Sequence, residues 1–223
     1  MKRLGPLLTL GAVAALAIVL LVVNMSKETE PTQAKPNSMS ATTTAPAAGP
    51  TTQPQPTTGT PAATPFPVKA DYIGTIPVQS GGTITLSITV QGDKATAYAC
   101  DGKSIESWLQ GSATNGSLRL TGKNDARLEG GFDGRAVNGT LWIGGKQWGF
   151  TAAPVQPPAG LYVYSEGGQR QSWIVDANGG VTGVQRAADG STSPAPALAT
   201  DATAIVNGKK ITANKVSGGD SVG

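Results

Sequence analysis

The chain has 223 residues, 39% hydrophobic and 14% charged, with a formal charge of +3, one cysteine and no histidine. The lack of histidine removes the Ser-His-Asp triad, the Cys-His pair and imidazole metal sites together, and the single cysteine, Cys100, excludes an internal disulfide. Lys209-Lys210 is the one basic pair beyond the N-terminus, so the clustered basic face that nucleic-acid recognition requires is missing.

Residues 1–3 carry Lys2 and Arg3, and Leu4 to Val23 follows as twenty residues without a charge. At about 1.5 Å per residue that run matches a bilayer core of roughly 30 Å, and the basic pair predicts a cytoplasmic N-terminus. The reading is a single-pass anchor over 4–23 that sends the rest of the chain outside the cytoplasm. A cleaved signal sequence is the alternative, but the run exceeds the usual signal core of about 7–15 residues and ends in Val22-Val23-Asn24-Met25-Ser26 with no small-x-small site.

Residues 24–67 are read as a disordered linker. Between Ser26 and Pro67 lie nine prolines and eleven threonines, with no aromatic residue before Phe66. Such a composition has too little apolar surface to offset chain entropy, and proline biases it toward extended polyproline II. Forty-two residues of this kind reach about 130 Å extended and about 35 Å as a coil. Threonine beside proline also suits O-glycosylation.

From 68 to 216 the pattern is all-β. Thr83 to Val90 alternates strictly, with Ile84, Leu86, Ile88 and Val90 on one face and hydroxyl residues on the other, the period of a half-buried strand. Further strands are predicted at Lys94 to Cys100, Ser104 to Leu109, Ser117 to Thr121, Arg127 to Phe132, Ala136 to Ile143, Gln147 to Ala152, Leu161 to Ser165, Gln171 to Asp176 and Val181 to Ala187. Ala202 to Val206 with Lys209 to Val216 reads as a closing hairpin. Asn115-Gly116, Asn207-Gly208 and similar pairs supply turn chemistry, and Asn138-Gly139 inside a strand marks a bulge or bend. The architecture is an antiparallel meander forming a small barrel or a sandwich, with the barrel preferred, and Pro154 to Pro158 crossing between two halves. Residues 217–223 are read as a flexible tail.

Chemistry-bearing patterns are few. Gly219-Asp220-Ser221-Val222-Gly223 spells a nucleophile elbow without the required strand-to-helix turn or histidine, and Gly102-Lys103-Ser104 lacks the earlier glycine of a phosphate loop. Asp101, Glu106, Glu129, Asp133, Glu166 and Asp176 could supply a carboxylate dyad for glycosidic cleavage only if two of them converge. No cofactor and no metal site is expected. Cys100 reads as a core residue. If Leu161 and Val163 point inward, Tyr162 and Tyr164 are displayed together as an aromatic patch.

The stretch Tyr98-Ala99-Cys100-Asp101-Gly102-Lys103-Ser104-Ile105-Glu106-Ser107-Trp108-Leu109-Gln110-Gly111 combines with the anchor, the Pro/Thr linker, Ala159-Gly160-Leu161-Tyr162 and Ser172-Trp173-Ile174-Val175. In that layout the chain resembles uncharacterised proline-rich, membrane-anchored proteins of actinobacteria, of mycobacterial type. The resemblance implies an extracytoplasmic place in such an envelope and no activity. The functional expectation is a tethered binding module for an envelope polymer or a neighbouring membrane protein, not an enzyme. Asp101, Glu106, Trp108, Tyr162 and Tyr164 are the candidate binding residues, and a carboxylate-dependent envelope hydrolase is the alternative.

Overall fold

Short apolar-polar alternations joined by turn residues leave the chain beyond residue 67 no long apolar helical stripe, and a computed structural model, which describes residues 64–79 and 81–221, is accordingly built from strands. The anchor expected over 4–23 and the linker up to residue 63 lie outside the described residues. Among the described residues no helix is long and apolar enough to cross a membrane.

Eight strands run in order: β1 (Lys69–Pro77), β2 (Thr83–Gln91), β3 (Lys94–Cys100), β4 (Glu106–Thr114), β5 (Ser117–Gly122), β6 (Arg127–Phe132), β7 (Val137–Ile143) and β8 (Lys146–Val155). Each pairs antiparallel with the next, and β1 with β8, closing an up-and-down barrel. The inward set of every strand fills the barrel: Ile84, Leu86, Ile88 and Val90 from β2, Ala95, Ala97 and Ala99 from β3, and Leu118, Leu120, Leu128 and Leu141 beyond them. An eight-stranded barrel has an interior narrow enough for side chains such as these to fill. Phe66 stacks on Phe132 at 5.3 Å and meets Tyr72 edge-on at 6.2 Å, so packing begins before Val68, inside the segment read as linker.

The single meander expected over 68–216 ends at β8. After the turn at Gln156–Ala159 the chain forms a second sheet of β9 (Gly160–Glu166), β10 (Gln169–Val175), β11 (Val181–Arg186), β12 (Thr192–Pro194) and β15 (Asn214–Lys215), with β13 (Thr203–Val206) and β14 (Lys209–Thr212) as a separate hairpin. The second half of the closing hairpin is therefore divided. Asn214 and Lys215 leave β13 and pair with Val163 and Tyr162 of β9.

The second sheet packs on the outside of the barrel through Tyr98, Cys100 and Trp108 against Leu161, Ile174 and Val184. This is why β2 is not half-buried: Thr85, Ser87 and Thr89, read as a solvent face, are covered by the second layer. Lys215 fastens the layers, with Nζ 2.8 Å from Asp71 Oδ2 and donating to the Ala159 carbonyl at 3.1 Å. The outer face of the sheet is covered in turn by Leu198, Ala204, Val206, Ile211 and Ala213 around Trp173.

Residues 217–221, the described part of the stretch read as a flexible tail, are seated against the barrel. Gly218 is buried against β2 and β3, its carbonyl accepts from Thr96 Oγ1 at 3.2 Å, and the Asp220 carbonyl accepts from Gln110 Nε2 at 2.5 Å.

A charged cleft as the candidate functional site

β4 starts later than its sequence suggests because Asp101 holds the preceding residues in a turn. Its Oδ1 accepts from the backbone N–H groups of Lys103, Ser104 and Ile105 at 2.9, 2.8 and 2.8 Å, which removes them from the ladder. Burial works against ionisation of Asp101, but these N–H groups outweigh it and hold the carboxyl below the usual carboxylate range. The sign follows: the turn's contribution to stability is complete above the ordinary aspartate value and is lost as pH falls through the lowered one. The stability gap between wild type and Asp101→Ala is therefore expected to shrink from neutral pH to about pH 2, measured by urea unfolding at both. A gap independent of pH would remove the ionised carboxylate from the account.

Glu106 opens β4 and, with Trp108, projects outward against the second sheet, while Leu109 projects into the barrel. From β10, Arg170, Ser172 and Ile174 alternate onto the same seam. The Glu106 side chain is only 2% exposed. Its Oε1 accepts from Trp108 Nε1 at 3.0 Å, from an Arg170 Nη at 3.0 Å and from Ser172 Oγ at 3.5 Å. Its Oε2 has no hydrogen-bond partner among the described residues, and an Arg186 Nη stands 3.7 Å away. Arg170 Nε is likewise buried without a partner among them. The Arg170 guanidinium also lies 5.2 Å from the Trp108 ring centre, and Tyr98 is 4.5 Å from the same ring.

These groups line a cleft of about 510 Å³ between barrel and sheet, bordered also by Gln110, Thr121 and Lys123 and Asn124 of the β5–β6 turn. Three cations, Lys123, Arg170 and Arg186, face one carboxylate, Glu106, so the lining carries a net charge of +2. Behind it, burial pushes the Cys100 thiol up to about 11 and, with Cys100 and Glu106 nearby, raises the Tyr98 phenol far above its ordinary value. At neutral pH Cys100 is thus a protonated core residue.

No protein family, curated protein or solved structure matches this chain.

Of the candidates read from sequence, Glu106 and Trp108 meet in the cleft. Asp101 turns into its own loop. Leu161 and Val163 do face the barrel, yet Tyr162 and Tyr164 are not displayed as a patch, because the 195–213 segment adds a third layer over them. Tyr162 is buried and donates to the Pro158 carbonyl at 2.7 Å, and Tyr164 is half-buried. The other carboxylates are engaged elsewhere. Asp133 accepts from the Arg135 and Ala136 N–H groups and from Asn138, Asp176 from those of Asn178 and Gly180, and Glu166 pairs with Lys209 at 3.0 Å. Glu129 is exposed on β6. Among the described residues no group of three or more acidic or cysteine side chains gathers as a metal site. Sequence reasoning missed Arg170, Arg186 and Lys123. A trace was available for the first: Arg170 shares its strand face with Ser172 and Ile174, an unusual neighbour for an inward apolar residue.

Proposed function

We propose that the chain is a membrane-tethered, extracytoplasmic binding module of the cell envelope, of the type its sequence resembles in actinobacteria, and that its ligand enters the cleft between barrel and sheet. The observation that carries this reading is Glu106, a lining residue of the cleft whose side chain is almost wholly buried between arginines and whose Oε2 accepts no hydrogen bond among the described residues. Buried polar groups are normally satisfied, and one left open beside a cavity marks a place for a ligand group. The tether adds to this physically, since a linked module meets a fixed partner at an effective concentration up to the millimolar range. The hydrolase reading has less support: glycosidic cleavage uses two facing carboxyl groups, and Glu106 is the one carboxylate among the cleft's described lining residues.

The test is crosslinking in intact cells from a photoreactive residue placed at Asn124, with protease added to spheroplasts as the topology control. A reproducible adduct that is lost with Arg186→Ala is expected, together with digestion of the domain before lysis. Absence of any reproducible adduct, or protection of the domain until lysis, defeats the proposal.

A further inference from the structure

The cleft's open valences specify more than binding in general. Resting on the reading of this cleft as a ligand site, we infer that it takes an anionic saccharide, with a ring hydroxyl set between Glu106 and Arg170 and a carboxylate or phosphate on the same sugar held by Arg186 and Lys123. Two atoms of this ion pair, the acceptor Glu106 Oε2 and the donor Arg170 Nε, make no hydrogen bond among the described residues, and both are shielded from solvent, so a ligand group reaches them only as side chains around them turn aside. A hydroxyl answers both demands at once, because it donates one proton and accepts through its lone pairs, whereas a carboxylate or an ammonium answers only one.

The anionic half follows from charge. Glu106 Oε1 is already bonded to Arg170, so Lys123 and Arg186 remain as the two cations not hydrogen-bonded to it. The Arg186 side chain is 47% exposed and its ion pair with Glu106, at 3.7 Å, is too long for a hydrogen bond, so it can exchange that contact for a ligand anion and thereby uncover Oε2 for a hydroxyl. Planar guanidinium groups suit carboxylate and phosphate through paired donors. Gln110, Thr121 and Asn124 at the rim supply further neutral hydrogen-bonding groups of the kind a polyhydroxylated ring uses. The volume of about 510 Å³ lies in the range of small-molecule sites. A nucleobase or other flat aromatic fits less well, because the Trp108 ring is already flanked by Tyr98 and Arg170.

The full-length chain in detergent micelles, titrated by calorimetry and followed at the Trp108 Nε1–H resonance, tests this. The probes are a tetrasaccharide of alternating glucuronic acid and N-acetylglucosamine, the neutral tetrasaccharide of N-acetylglucosamine, glucose 6-phosphate and inorganic phosphate. The acidic tetrasaccharide or the sugar phosphate is expected to bind at least about tenfold tighter than its neutral or sugar-free counterpart, and which of the two does so separates a carboxylate source from a phosphate source. Binding should weaken about tenfold in Arg186→Ala and in Lys123→Ala, fall as salt rises, and shift the Trp108 resonance. Equal binding of neutral and acidic tetrasaccharides, phosphate binding as tight as sugar phosphate, or affinity unchanged in Arg186→Ala overturns the inference. If none of the probes binds while the cellular crosslink at Asn124 persists, the saccharide is wrong and the binding module stands. If the crosslink is absent as well, both fall.

Discussion

Glu106→Ala is expected to lower the unfolding free energy by about 3 kcal/mol, measured by urea denaturation, because it leaves the Arg170 guanidinium at the seam without its counter-charge. The Glu106 side chain is 2% exposed and that of Arg170 20%, so neither charged group can turn fully to water without parting the second sheet from the barrel. The lost acceptor also strands Trp108 Nε1 and Ser172 Oγ. Partial access of Arg170 to solvent sets the figure at the lower end of what broken buried pairs cost. Glu106→Gln preserves volume and keeps one acceptor for the tryptophan, and should recover about half of the loss. The contrast is Glu166, whose pair with Lys209 has the same 3.0 Å separation but lies more than half exposed on both sides. Glu166→Ala should leave stability nearly unchanged, because water replaces what is removed. If Glu106→Ala proved as mild as Glu166→Ala, the ion cluster would have no part in holding sheet to barrel.

How far the sequence foretells this arrangement differs between fold and site. Strict alternation in Thr83–Gln91 and Lys94–Cys100 fixed both strands within a residue, since period-two patterning survives any tertiary context that buries at least one face. β1 escaped because Gly74 interrupts its inward series between Tyr72 and Ile76, which weakens the same signal. The second layer was invisible for a different reason. Thr85, Ser87 and Thr89 read as solvent-facing, and nothing local to β2 announces that Ile174 and Val184, some ninety residues later, will cover that face of the barrel. The same distance governs the site. Glu106 and Trp108 stand two apart on one strand, so their common direction is legible, whereas Arg170 arrives from 64 residues away and Lys123 from the turn after β5. The tyrosines illustrate the reverse error, since correct strand facing did not give exposure once β13 and β14 folded over them.

Gly139→Ala is expected to destabilise the barrel by about 3 kcal/mol or more, by the same unfolding assay, even though it adds only one methyl group. Gly139 lies in β7 opposite Gly130 of β6 and Phe150 of β8. A Cβ there would overlap the carbonyl oxygen of Glu129 and stand 2.7 Å from the Cα of Gly130, both backbone atoms that cannot swing aside as a side chain can. Gly111 has the same relation to the carbonyl of Arg119 and Gly74 to that of Thr151 at 2.5 Å. The sequence left open whether Gly139 marks a bulge or a bend. Its register with Gly130 is unbroken, which excludes the bulge and leaves a close backbone approach of the kind that lets a strand coil enough to close a barrel. Phe150 lies across the space these glycines leave, its ring tip 3.4 Å from where a Gly130 Cβ would sit. Gly149, one strand over, separates sterics from chain entropy: it is exposed, and its nearest neighbour to an added Cβ is 4.0 Å away. Gly149→Ala should change stability by no more than about 0.5 kcal/mol. A Gly139→Ala effect as small as that of Gly149→Ala would mean that the backbone yields to the added methyl group, and closure of the barrel would then need a cause other than close backbone approach.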